Sequence, residues 1–327
     1  MPKAVVQGIG HAVPEKVLTN ADLEELVETN DEWITQRTGI KERRVCGPGD
    51  SCTSLSVAAA RRALTNAGIA PEELDMITVG TVTGDFPFPS ASCLVQEQIG
   101  ALNAGAFDVG AACAGFIYSV ASVAPMLETG KIKTALVIGV DVLSRYVDYT
   151  DRSTCVLFGD GAGAVVLRAE EGTDRGVMDT VLLSDGTGAK HIGLDVGGTK
   201  NPPNRGIPEG MSPYLYMAGA EVYRFAVGAM GDACERVLER TGLASTEIDL
   251  FVPHQANLRI IESAAKRLEL PNEKVFVNVQ KYGNTSGGSI PIALSEAVEQ
   301  GRLKKGDLVM TVGFGAGLVW GANLIRW

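Results

Sequence analysis

Three short stretches of the chain put a chemically capable side chain where an apolar run gives way to a turn. Cys113 stands in Gly-Ala-Ala-Cys-Ala-Gly at 110–115, between a strand-like run at 106–110 and a mostly apolar, helix-like run from Phe116. A cysteine at a strand-to-helix turn faces the positive end of the helix dipole, which favours thiolate over thiol. Small neighbours (Ala111, Ala112, Ala114, Gly115) leave room for a substrate at the sulfur. The same residue could also serve as a small core thiol. His254 closes the run Leu-Phe-Val-Pro-His-Gln-Ala-Asn at 250–257, a junction where histidine can act as acid, base or hydrogen-bond donor. Asn284, in Tyr-Gly-Asn-Thr-Ser-Gly-Gly at 282–288, can donate but cannot take up a proton. Asparagine at such a place is also a common helix N-cap. Of the other cysteines, Cys93 and Cys234 read as core residues on helix faces. His11, in a Gly-rich turn, and His191, in a long loop, read as structural.

The elements that must position these residues repeat. Residues 68–77 (Gly-Ile-Ala-Pro-Glu-Glu-Leu-Asp-Met-Ile) match 242–251 (Gly-Leu-Ala-Ser-Thr-Glu-Ile-Asp-Leu-Phe) in class, 174 apart. Residues 127–133 match 298–304 at an offset of 171, with Gly130 and Gly301 as helix C-caps and a strand following each. Two similar α/β halves are the economical reading. An offset of 171 carries Cys113 onto Asn284, and symmetry then gathers Cys113, His254 and Asn284 into one site. Pro125 should kink or bulge the helix after Cys113. The Gly- and Pro-rich stretch 184–214 reads as a long loop over the site.

Composition limits the alternatives. The 327 residues are 45% apolar and 21% charged, ordinary for a globular chain. The net charge of −10 and the lack of a Lys/Arg run argue against nucleic acid. Three histidines and six scattered cysteines make a metal site an unpromising reading. No apolar run reaches the roughly 20 residues a bilayer span needs, and the start lacks a secretory pattern, so no membrane association and a cytoplasmic location are expected. The glycine-rich stretches 159–164 and 313–317 lack dinucleotide-loop spacing and read as turns.

At this point the motifs become recognisable. Cys113, His254 in Pro-His-Gln-Ala-Asn and Asn284 in Gly-Asn-Thr-Ser resemble the Cys-His-Asn triad of the β-ketoacyl-acyl-carrier-protein synthase III family. Gly-Phe-Gly-Ala-Gly-Leu-Val-Trp-Gly at 313–321 is similar to that family's closing loop, and Asp-Glu-Trp-Ile-Thr-Gln-Arg-Thr-Gly-Ile at 31–40 to its coenzyme A-binding segment. The resemblance runs from end to end of the chain. It implies a thiolase-like fold: duplicated α/β halves (1–170 with the cysteine, 171–327 with histidine and asparagine) in a five-layered α-β-α-β-α architecture with mixed sheets. The implied reaction is decarboxylative condensation of an acyl-CoA primer, taken as acetyl-CoA, with malonyl-acyl carrier protein. The products are 3-oxoacyl-acyl carrier protein, CoA and CO₂, the first step of fatty acid synthesis. No cofactor beyond the coenzyme A substrate is implied, and a homodimer is.

By the same resemblance, the backbone N–H groups of Cys113 and Ala316 form the oxyanion hole, although the family usually carries glycine at the Ala316 position. Trp33 and Arg152 would flank the adenine with Thr29 and Arg37 nearby, and Gly219 and Asn257 would line the pantetheine channel. Within 81–89, Phe88 is expected to wall the primer pocket. At about 100° per residue, Arg259, Lys266 and Arg267 share one helix face that could dock an acidic carrier protein, with Arg224 as a further candidate. The rival readings are a relative with another primer or a polyketide role, and a Cys-His thioester hydrolase.

Overall fold

The computed structural model describes residues Met1–Trp327. Its first sheet holds β1 (Lys3–Ala12), β2 (Met76–Gly80), β3 (Gly105–Val109), β4 (Thr134–Val142) and β5 (Asp160–Glu170) in the order β1-β5-β4-β2-β3. The second holds β6 (Gly176–Ser184), β7 (Leu250–Pro253), β8 (Leu308–Gly315) and β9 (Val319–Arg326) in the order β7-β8-β9-β6. Both are mixed: β2 runs parallel to β3 and β4, and β7 parallel to β8, while the remaining pairs are antiparallel. Every residue of β4 and β8 is buried, as near-continuous apolar runs require when helices cover both faces.

The principal helices are α1 (Asp31–Thr38), α2 (Cys52–Ala67), α3 (Ala91–Ile99), α4 (Gly115–Glu128), α5 (Gly219–Thr241), α6 (Leu258–Arg267) and α7 (Ser289–Glu299). Helices α2 and α3 cover the outer face of the first sheet, and α5, with α6 against it, covers the second. Helices α4 and α7 lie between the sheets and touch both, which completes five layers with three apolar cores. Ser51 caps α2 with a reciprocal Ser54 contact, and Gly68 ends it in the left-handed region.

The N-terminal glycines, read from sequence as a turn, lie within β1. A Cβ on Gly8 would fall 2.4 Å from the Ala67 backbone nitrogen, so these glycines let α2 press onto the strand. Pro125 lies inside α4 without ending it: the helix runs on to Glu128, with one N–H missing from its ladder. Cys93 is exposed on α3 rather than buried in a core, whereas Cys234 is fully buried in α5.

The repeat has a definite register. Gly68 and Gly242 end matching helices, β2 and β7 begin at 76 and 250, α4 and α7 at 115 and 289, and β4 and β8 at 134 and 308; each pair differs by 174. The spacing of 171 holds only at the ends of α4 and α7, which contain 14 and 11 residues, and in the turns just after them; a longer connection restores 174 by the next strand. At the Cys113 turn the offset is still 174, so its counterpart is Gly287, not Asn284. Backbone angles agree: Ala112 has φ 44° and Ser286 has φ 50°, the same left-handed step before each helix.

The two turns meet where only glycine fits. A Cβ on Gly139 would lie 2.1 Å from the Gly287 carbonyl oxygen. We expect Gly139→Ala to cost about 3 kcal/mol through that overlap. Gly130→Ala, at φ 70° with open space around it, should cost only about 1 kcal/mol. Denaturant unfolding of the two variants measures both; equal losses would mean the contact is slack.

Candidate active site

Cys113 occupies a single 3-10 turn, Ala112–Ala114, immediately before α4. Burial pushes its thiol up to about 12, opposed by a hydrogen bond from the Ser286 hydroxyl, whose Oγ lies 3.1 Å from Sγ. Gly315 faces the Cys113 backbone nitrogen: a Cβ there would fall 2.7 Å from it. Ala316 follows, and it is not among the residues with positive φ, so its backbone suits a Cβ where the family usually has glycine.

His254 follows β7 and is fully buried, with its ring edge-to-face against Phe314 at 5.4 Å. Neither ring nitrogen has a hydrogen-bond partner, and burial lowers its pKa to about 3. At neutral pH it is therefore an uncharged imidazole with one N–H to donate. Asn284 is held by its backbone, which exchanges hydrogen bonds with Leu157 and Gly159 at 2.8 and 3.0 Å. Its Oδ1 accepts from the Ser286 N–H at 2.9 Å, which turns the amide NH₂ away as the free donor. The N-cap reading fails in detail, since a further 3-10 turn separates Asn284 from α7.

Cys113, His254 and Asn284 line one cavity of about 490 Å³, together with Gly219, Asn257 and Ala316. A second cavity of about 520 Å³ also reaches Cys113 and Ala316, walled by Leu143, Tyr146, Leu194 and Leu215. Phe158 and Ile192 border both. The stretch 184–214 does lie over the site: Ile192–Leu194 pairs with Leu215–Met217 there as a short hairpin ladder. Phe88, expected on the second cavity, is not part of its wall. The loop 81–89 contributes Val82 and Pro87 but turns Phe88 outward, where it is 85% exposed.

Trp33, on α1, is flanked by two guanidinium groups, Arg37 at 5.7 Å and Arg152 at 5.2 Å from its ring. An aromatic base stacking on Trp33 could replace the Arg152 contact. Thr29 precedes the Asn30 cap of α1, its buried hydroxyl without a partner. Asn257 caps α6 through Arg259 N–H and donates to the Arg37 carbonyl at 3.0 Å, which ties α1 to the cavity rim. Arg224 and Arg259 border that cavity. Arg267 differs from the expectation of a free basic face: Glu235 holds its guanidinium through two contacts of 2.7 and 2.5 Å. No group of three or more His, Cys, Asp or Glu side chains converges as a metal ion would need.

Sequence reasoning missed Ser286 and Asp141. Asp141, at the end of β4, is fully buried and accepts from Thr81, Val82, Thr83 and the Gly287 N–H at 2.7–3.0 Å. Ser286 could have been found with the offset of 174, which pairs it with the residue before Cys113. Asp141 carries no comparable signal, because a lone Asp closing an apolar strand looks like any turn residue.

Comparison with known proteins places the chain among close relatives. The family described as 3-oxoacyl-[acyl-carrier-protein (ACP)] synthase III matches residues 107–186, and its C-terminal counterpart matches 238–327. A β-ketoacyl-[acyl-carrier-protein] synthase III from Caldanaerobacter subterraneus subsp. tengcongensis is 50% identical over 99% of this chain and 98% of its own. The crystal structure of 3-oxoacyl-[acyl-carrier-protein] synthase III from Aquifex aeolicus VF5 matches with TM-score 0.92 at 46% identity, covering 99% and 100% of the two chains. The priming β-ketosynthase of the R1128 polyketide pathway matches at 0.91 with 35% identity, covering 99% and 97%.

The buried histidine makes a pH prediction. Its folded-state pKa lies below the unfolded value, so protons favour the unfolded chain and stability falls as pH drops below about 6.5. Between pH 6.5 and 5, His254 should account for about 2 kcal/mol of that loss. Urea midpoints of wild type and His254→Phe over this range check it. Parallel curves would show that the imidazole is not held neutral.

Proposed function

The chain belongs to the β-ketoacyl-acyl-carrier-protein synthase III family, acyltransferases that start fatty acid synthesis by condensing an acyl-CoA with malonyl-acyl carrier protein, and from that premise we propose that Cys113 is the nucleophile of this reaction, with acetyl-CoA as primer. The observation that carries the assignment is the meeting of two cavities at one sulfur. One is large enough for an acyl group, and the other is lined with donors and leads toward exposed basic side chains.

The steps follow from the groups present. The primer's pantetheine arm lies in the cavity beside Gly219 and Asn257, with its adenine near Trp33 and Arg152 and with Thr29 and Arg37 close by. Cys113 sulfur attacks the thioester carbonyl, and the Cys113 and Ala316 N–H groups hold the oxyanion. Coenzyme A leaves as its thiol, carrying the proton that Cys113 gives up, and the acyl group extends into the second cavity. The malonyl arm then enters by the vacated route and loses CO₂. The neutral His254 N–H and the Asn284 amide stabilise the enolate oxygen while its carbon attacks the acyl-cysteine and expels the Cys113 sulfur. An imidazole kept uncharged donates without protonating the carbanion, and burial keeps water from quenching it. Arg224, Arg259 and Lys266 supply local positive charge for an acidic carrier protein; Arg267 is spent on Glu235.

We read the working form as a cytoplasmic homodimer. Strand β3 is a sheet edge without a second partner, and Phe86, Phe88 and Leu102 expose apolar side chains nearby at 58, 85 and 72%. A second reading of the primer has its own support. Leu143, Tyr146, Leu194 and Leu215 enclose more apolar space than two carbons fill, which favours longer or branched acyl groups.

Incubation with acetyl-CoA, then with malonyl-acyl carrier protein, followed by intact mass, tests the proposal. We expect acetylation of Cys113, absent in Cys113→Ala, and transfer to a condensed product. An adduct with branched or longer acyl-CoA alone would select the second primer reading. Release of free acetate with no condensed product would overturn condensation in favour of hydrolysis. Asn284→Ala should slow condensation by roughly 10²–10³-fold, measured from preformed acyl-enzyme so that any change in the acylation step is left out.

A further inference from the structure

The two turns at the pseudo-twofold axis share a backbone and differ in what their groups do. In the second turn, the Gly287 N–H is taken by the Asp141 carboxylate at 3.0 Å. The counterpart of Gly287 is Cys113, and the counterpart of Asp141, 174 positions on, is Gly315. Where the carboxylate would stand against the Cys113 N–H there is no side chain at all. One turn is closed by a charge from the other half; its twin keeps the N–H open to a substrate oxygen. The residues preceding them also differ. Ala112 and Ser286 take the same left-handed conformation, but only Ser286 carries a hydroxyl, and it reaches across the axis to Sγ at 3.1 Å.

We propose that Ser286 is a positioning residue for the nucleophile, donating its hydroxyl to the Cys113 sulfur and raising the fraction present as thiolate. The proposal rests on Cys113 being the nucleophile. Four contacts fix the geometry. Asn284 Oδ1 accepts from Ser286 N–H, and Asp141 accepts from Gly287 N–H, so the serine is held on both sides. Asp141 is itself fixed by Thr81 and Thr83 of the first half. A residue with a Cβ at φ 50° is disfavoured by its own backbone, and this anchoring is what holds it there.

The electrostatics leave the sulfur in need of a donor. The titratable groups facing it are Asp141, which opposes thiolate, and His254, which is uncharged. No cation offsets the burial of the sulfur. The start of α4, the Cys113 backbone N–H and the Ser286 hydroxyl are the favourable features that remain; of these the Ser286 hydroxyl is the largest, and a hydrogen bond to an ionised partner is the stronger kind.

The test is the rate of iodoacetamide alkylation at Cys113 against pH, read by digestion and mass spectrometry so that the exposed Cys93 is scored separately. Wild type is compared with Ser286→Ala and Ser286→Gly. Both variants should move the rate–pH curve about one unit higher, so that alkylation at a fixed pH is about ten-fold slower, with Cys93 unchanged as the reagent control and the fully buried Cys234 still unreacted as the sign of an intact fold. Glycine accepts the left-handed angle freely, so it isolates the hydroxyl from the backbone. A curve unmoved in both variants would overturn the proposal, as would a shift in the alanine variant that glycine abolishes. Alkylation needs no acyl-CoA, so this result and a failure of the primer assignment are read independently.

Discussion

The chemistry of this protein depends on how closely two backbone turns approach one another at the axis between its halves. Gly139 lies against the Gly287 carbonyl, and its counterpart Gly313 faces the Cys113 carbonyl. Gly80 packs on Gly115, at the start of α4. The contacts at Gly139 and Gly80 leave no space for side chains, so the two helix starts between the sheets are brought together by main chain. Sulfur, amide and backbone donors then come from different halves yet sit in one place. Neither half could assemble the site alone.

That approach also sets the electrostatics. A site formed between two fully buried strand ends withdraws its groups from solvent, and that burial acts on both the thiol and the imidazole. It raises the Cys113 thiol and keeps His254 neutral. The first effect hinders acylation, while the second suits a donor to an enolate, which must not receive a proton on carbon. The fold balances these demands with neutral dipoles rather than charges: the α4 start, the Ser286 hydroxyl, and open N–H groups. Asp141, the one buried carboxylate beside the site, has its charge met by two hydroxyls and two N–H groups. It acts as a rivet between halves.

Much of this was legible in the residues. Alternation of apolar strands with helix-like runs, and the recurrence of Gly-x-Ala-x-x-Glu-φ-Asp-φ-φ, where φ is apolar, revealed two α/β halves. The Cys113, His254 and Asn284 motifs marked three lining residues of one cavity. The register of the repeat was misread because α7 is three residues shorter than α4, so a match taken after the helices gave the wrong offset before them. Phe88 is not on this chain's own cavity, because composition cannot say which way a proline-rich loop turns. Arg267 was counted as free because its partner, Glu235, lies on another helix and no helical spacing links them. Ser286 and Asp141 act through contacts between halves, and such contacts are invisible to any local pattern.

The most direct test of this account is the structure of the acyl-enzyme formed on Cys113. The account predicts the thioester carbonyl oxygen within hydrogen-bond reach of the Cys113 and Ala316 N–H groups. The acyl chain should point toward Leu143 and Tyr146, leaving the His254 and Asn284 side clear for the second substrate. An oxygen directed at His254 or Asn284, or an acyl chain lying in the cavity they line, would contradict the division of labour between the two turns.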